Sequence, residues 1–264
     1  MGRALLENNT LEVLDLHCNI IESEGAALLA SSLKRNRGLR TLNLWDNRVG
    51  GAGAQALSAM LLVNTTLESL VLKFNGFGPA GVVALADALR VNRTLLHLNL
   101  SFCTVGDAGA EALSSTLEVN TILCVLNLED SDVGDVGACK LGQALRRNKS
   151  LSQLLLQSNR ISDIGASGLA VGLARNAALC RLDLRGSSKS AIGPSGAGRL
   201  AEALRENISL RSLNLECNAL TPEHVELFPK GFCNVRVVVR KQVGSVVKSR
   251  RRPRILRFLT QLFS

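Results

Sequence analysis

Leucine marks this chain at a fixed interval. The pattern L-x-x-L-x-L begins at Leu11, Leu39, Leu67, Leu95, Leu123, Leu151 and Leu179 in steps of 28, and once more at Leu210 after a step of 31. Inside each copy the hydrophobic period changes. In Leu67-Glu68-Ser69-Leu70-Val71-Leu72 the alternation is that of a strand, so Leu70 and Leu72 turn inward while Ser69, Val71 and Lys73 take the other face. A turn follows, with one buried apolar residue, Phe77, and a glycine, Gly81. Val82 through Val91 then takes a helical period, with Leu85 and Leu89 inward, Arg90 outward, and Ala84 and Ala88 keeping the inner face thin.

Two polar columns punctuate the copies. Asn8, Asn36, Asn64, Asn92, Asn120, Asn148, Asn176 and Asn207 close the helical halves. Asparagine here reads as a cap that bonds backbone across the turn. Asn8, Asn64, Asn92, Asn148 and Asn207 also sit in Asn-x-Ser/Thr triplets, as does Asn99. The column persists at Asn36, Asn120 and Asn176 without the triplet, which favours the cap over a sugar acceptor. The second column ends the strands: Asn19, Asn47, Asn75, Cys103, Ser131, Asn159, Ser187 and Asn218. Where Cys or Ser replaces Asn, weaker turn bonding is expected.

A unit this short cannot bury its apolar face alone, so neighbours must stack into a solenoid. Successive strands pair in parallel, with right-handed crossovers through the helices. Helices are wider than strands. The expected fold is therefore an α/β horseshoe of about eight units, with the parallel sheet on the concave face and the helices on the convex face.

The strand signature L-x-x-L-x-L-x-x-N/C, followed by a full helix, resembles the ribonuclease-inhibitor-like class of leucine-rich repeats over about residues 4–228. That family includes cytosolic inhibitors, the sensor ends of NOD-like receptors, Ran GTPase-activating proteins and ciliary scaffolds. The resemblance implies a protein-binding surface and does not choose among these roles. Ran GTPase-activating proteins usually carry an acidic tail, and this chain's is basic.

Three regions are expected. Residues 1–230 form the repeat domain; Gly2-Arg3-Ala4-Leu5-Leu6-Glu7-Asn8 matches a repeat's helix end, so the chain opens in mid-repeat. Either sequence upstream or another subunit is expected to cover that end. Residues 231–244 hold Val235-Arg236-Val237-Val238-Val239-Arg240, a period-2 strand expected to pair with the eighth and close the sheet. Residues 245–264 are a basic tail with an amphipathic helix. In the eighth unit Thr221-Pro222 reads as a helix start, with His224 in the glycine column. The seventh unit carries three extra residues around Ser187-Ser188-Lys189-Ser190, at the rim.

Charge is uneven along the chain. The net charge is +9, yet ten Lys or Arg and no acid lie from Lys230 onward, leaving 21 basic against 22 acidic groups before it. On this count polyanion affinity belongs to the tail: Lys248, Arg250, Arg251, Arg252, Arg254 and Arg257. The tail's three open roles are capping the last repeat, docking on a partner, or touching an anionic partner such as RNA, lipid or an acidic protein. Seven cysteines without paired spacing suggest reduced thiols and a cytoplasmic setting; a cilium or cytoskeleton within it is implied by the family resemblance alone. No apolar run approaches the ~18 residues of a membrane span, and the first residues lack the core of a signal peptide.

No catalytic constellation emerges. His17 and His97 lie three strands apart, roughly 14 Å, and no His/Cys group has zinc spacing. No phosphate-binding G-x-x-x-x-G-K-[ST] loop is present. No cofactor, no metal and no enzyme activity are expected. The candidate protein-binding residues lie on the concave face and rim. Trp45, the only tryptophan, stands near Lys73, Phe74 and Phe102, and aromatic side chains dominate interface hot spots. At the other end Arg181, Asp183 and Arg185 make a charged patch. The expected function is a scaffold in a larger assembly, a ciliary or cytoskeletal one on family grounds. The alternatives are the sensor part of a NOD-like receptor and a ribonucleoprotein component binding RNA through the tail.

Overall fold

A computed structural model describes residues 2–186, 191–228 and 236–238. A short helix α1 (Gly2–Glu7) precedes seven strand–helix pairs: β1 (Val13–Asp15) and α2 (Ser23–Leu33), β2 (Thr41–Asn43) and α3 (Gly50–Leu61), β3 (Ser69–Val71) and α4 (Gly78–Leu89), β4 (His97–Asn99) and α5 (Gly106–Leu117), β5 (Val125–Asn127) and α6 (Asp135–Leu145), β6 (Gln153–Leu155) and α7 (Asp163–Leu173), β7 (Arg181–Asp183) and α8 (Pro194–Glu206). β8 (Ser212–Asn214), a 3-10 turn (Pro222–Leu227) and β9 (Arg236–Val238) follow. The nine strands form one sheet in chain order, every pair parallel. Through β7 the register is one repeat, Leu70 opposite Leu98 and Leu98 opposite Leu126. β9 pairs with β8, Val237 opposite Leu213. The inserted Ser187-Ser188-Lys189-Ser190 and the tail from residue 245 lie outside the described residues.

The core is a stack of leucine layers, with Leu42, Leu70, Leu126, Leu154 and Leu182 fully buried. The helices depart from expectation at their starts. α4 begins at Gly78, so Gly81 lies inside the first turn. A Cβ at Gly81 would stand 2.9 Å from the Phe77 ring and 3.0 Å from Ala54. Glycine is required here by close packing of one repeat on the next, not by turn geometry. The thin inner face is made by Ala86 and Ala88, with Ala84 half-exposed. Glycine has its largest effect between α6 and α7, where a Cβ at Gly172 would come 1.9 Å from the Gly142 carbonyl oxygen. These two helices are in backbone contact.

Three side-chain ladders tie the repeats together. At the helix ends, Asn64 Nδ2 donates to the Leu33 carbonyl at 2.7 Å and Asn64 Oδ1 accepts from Thr66 and Leu67 N–H. Asn36, Asn92, Asn120, Asn148, Asn176 and Asn207 repeat this arrangement against the preceding repeat. All seven are buried. The column is thus an inter-repeat bridge as well as a cap, and the triplets at Asn64, Asn92, Asn148 and Asn207 are closed to sugar in the folded chain.

At the strand ends, Asn75 Nδ2 donates to the Leu44 carbonyl at 2.7 Å while its Oδ1 accepts from Val49 N–H. Cys103 and Ser131 keep the donor bond, to Leu72 and Leu100. Among the described residues neither supplies the second bond.

The third ladder was not foreseen. Asp107, Asp135 and Asp163 each place Oδ1 on two backbone N–H groups of the following repeat: Gly134 and Gly137, Ser162 and Gly165, Gly193 and Gly196. Each carboxylate therefore caps its neighbour's helix.

Thr221-Pro222 does start a helical turn, but a 3-10 one. His224 Nδ1 accepts from the Thr221 N–H at 3.0 Å, the reciprocal bond of a capping box.

Candidate interaction surface

The concave face is less open than alternation implies. Ser69, Val71, Asn127, Leu155 and Asp183 are all buried although they point away from the leucine core. Strands only ~4.8 Å apart bring these side chains into contact with one another. Between them lies a shallow depression with a volume of only about 20 Å³, lined by Val71, His97, Asn99, Val125, Asn127 and Leu155 among others. Burial lowers the His97 pKa from its ordinary value, with Glu68 opposing that shift, so the imidazole favours its neutral form.

The largest exposed aromatic group stands on the rim, where strands turn toward helices. Trp45 is positioned by its N–H, which donates to Asn43 Oδ1 at 3.0 Å. Its indole stacks on the His17 ring, centroids 5.5 Å apart at 13°. One and two repeats along, Phe74 and Phe102 stack with centroids 4.2 Å apart. Lys73 joins the two pairs. Its Nζ lies 5.4 Å from the Trp45 ring, 5.7 Å from Phe74 and 5.0 Å from Phe102. At these distances a cation is held by the negative faces of the rings. The structure thus brings together the four rim residues singled out in the sequence, and adds His17.

The backbone explains the display. The residue after Trp45, Asp46, has φ 54°, and Phe74 and Phe102 have φ 56° and 58°. This left-handed turn belongs to the repeat: Cys18, Asp130, Ser158 and Cys217 share it. Small or polar residues suit it, and a bulky aromatic there carries a strain of about 1–3 kcal/mol. Phe74 keeps 43% of its surface exposed, so burial within the chain repays that strain only in part, and Trp45 beside it is 36% exposed.

The second sequence candidate changes character. Asp183 is buried: its Oδ1 accepts from Arg185 N–H at 3.1 Å, and its Oδ2 meets Asn214 Nδ2 at 3.3 Å and Arg181 Nη2 at 3.5 Å. Asp183 thus organises the patch from beneath, and Arg181 and Arg185 are its partly exposed members. The tail candidates Lys248, Arg250, Arg251, Arg252, Arg254 and Arg257 lie outside the described residues. Among the described residues no three metal-binding side chains gather, and no helix is long and apolar enough to cross a membrane.

A solenoid of parallel strands and packed helices, displaying side chains along its inner face and rim, is the architecture of a binding scaffold. The family described as "Leucine Rich repeat" matches residues 7–30, 35–58, 63–86, 91–114, 147–170 and 206–226, over half of the sequence. The chain belongs to the leucine-rich repeat family. Among solved structures, it is similar to "Leiomodin-1 Actin-Binding Site 2 (ABS2)" at 22% identity and a TM-score of 0.49, over 55% of this chain and 86% of that one. A search of curated proteins found no match.

Proposed function

We propose that the chain is a non-enzymatic protein-interaction scaffold whose partner docks on the Trp45–Lys73–Phe74–Phe102 rim. The observation that carries this reading is the stacked pair of phenylalanines in left-handed backbone, Phe74 exposed and Phe102 partly buried, beside a lysine already held by rings. Arg181 and Arg185 serve as a second contact, and the tail as a third. Helices of 11 to 13 residues from α2 to α8, on the 28-residue period, support placement in the ribonuclease-inhibitor-like class. We place the protein in the cytoplasm, within a ciliary or cytoskeletal assembly, on family grounds.

Trp45→Ala tests the reading. Intact protein and variant are used to capture partners from their own cells at low and high salt, and the captured proteins are identified by mass spectrometry. Partners that survive high salt on the native chain and weaken by over ~1 kcal/mol on the variant, at equal melting temperature, are expected. A large fall in melting temperature would make Trp45 a structural residue instead.

A further inference from the structure

The body of the chain is nearly neutral in sum, but the fold sorts its charges. On the edge where helices end, basic residues recur every second repeat. Lys34, Arg90 and Arg146 stand at 56-residue intervals, and Arg37, Arg93 and Lys149 do the same three positions later. All six are exposed. Among the described residues none of them pairs with a carboxylate; Arg37, Arg90 and Arg93 reach only backbone carbonyls. Helix axes ~8–10 Å apart put successive members of a row ~16–20 Å apart. That exceeds the ~8 Å screening length, so the rows accumulate charge with little self-repulsion.

Cations near helix ends are often explained by the helix dipole. Two observations go beyond that account. First, the carbonyl of each helix's last leucine is already satisfied without a cation: Leu33, Leu61, Leu89, Leu117, Leu145 and Leu173 each accept from an asparagine of the next repeat. Second, the repeats between the basic ones present aliphatic groups to water at the same edge. Val63 is 51% exposed and Val119 46%, while Val91, between Arg90 and Arg93, is 56% exposed. A dipole gives no reason for them.

We propose that this helix-end edge docks on an anionic lipid bilayer, the cations meeting headgroup phosphates and carboxylates and the valines entering the headgroup boundary. Interleaved cations and aliphatics are the composition that suits a charged interface with an apolar layer beneath it. A nucleic acid would satisfy the cations and leave the valines in water. This surface is separate from the Trp45 rim, so a partner there and a bilayer here can be engaged together.

The test is co-sedimentation of the intact chain with vesicles of phosphatidylserine and phosphatidylcholine in equal parts, and with phosphatidylcholine alone. Binding to the anionic vesicles that weakens with salt is expected. The triple variant Arg37→Gln, Arg93→Gln, Lys149→Gln should reduce it by at least about 10-fold. Val63→Ser, Val91→Ser, Val119→Ser should remove the part that survives high salt. Both variants should melt with the native chain, since none of these side chains is buried. Failure of the native chain to bind, or binding that neither variant changes (tail contact alone), would overturn the proposal. So would binding of homopolymeric RNA, in place of vesicles, that the charge variant abolishes.

Discussion

The two edges of the solenoid use their charged side chains differently. Where helices start, carboxylates are drawn into the fold: Asp107, Asp135 and Asp163 each hold two backbone N–H groups of the next repeat, and Asp132 pairs with Arg160 at 3.1 Å. Where helices end, neutral asparagines make the inter-repeat bonds, Lys34, Arg146 and Lys149 are left facing water, and exposed Arg93 reaches only local carbonyls. A charge bonded to buried backbone supports the fold, whereas a charge standing beside an already satisfied backbone is available to something outside it.

Breaking the neutral ladder should have the largest effect. Asn120→Ala orphans the Leu89 carbonyl and the Ile122 and Leu123 N–H groups. A cost of about 3 kcal/mol is expected, read by chemical denaturation, because several buried polar groups lose partners at once. A cost under ~1 kcal/mol would mean that water replaces the side chain.

Asp135→Ala probes the acidic edge. Ser162 and Gly165 N–H lose their acceptor, partly exposed to solvent, and about 2 kcal/mol is expected. The contrasting change, Arg93→Gln at the basic edge, should stay within ~0.5 kcal/mol of the native chain. If Arg93→Gln matched Asp135→Ala, the distinction between the edges would fail.

A chemical probe separates buried from displayed groups within one residue type. Burial in the strand-end column pushes the Cys103 thiol up to about 12. Its thiolate is then scarce at neutral pH and grows only as pH approaches that value. A disulfide reagent at pH 7 should modify exposed Cys180 at least ~10-fold faster than Cys103, followed by peptide mapping. Equal rates would show that the strand-end column opens in the native state.

Much of this was written in the sequence, because the leucine and asparagine columns fix the phase of every strand and helix. Leu126 and Leu154 are buried as alternation demands. Trp45, Lys73, Phe74 and Phe102 meet because the column rule places them on neighbouring strand ends. The burial of Val71, Leu155 and Asp183 on the concave face was not legible, since alternation says which face a residue takes and not how tightly neighbouring strands cover it. The aspartate ladder escaped notice because each bond joins residues 27 to 33 apart, where an acid in a first helical turn reads as a purely local feature. Net charge hid the basic rows because summing along the chain cancels them against acids that the fold places elsewhere.

The comparison stands or falls on one calorimetric experiment with three chains: native, the triple variant Asp107→Ala, Asp135→Ala, Asp163→Ala, and the triple variant Arg37→Gln, Arg93→Gln, Lys149→Gln. The acidic triple should lower the melting temperature by about 10 °C or more, as the summed loss of six backbone bonds implies. The basic triple should melt within ~2 °C of the native chain. Equal shifts in the two variants would contradict the division of labour between the edges.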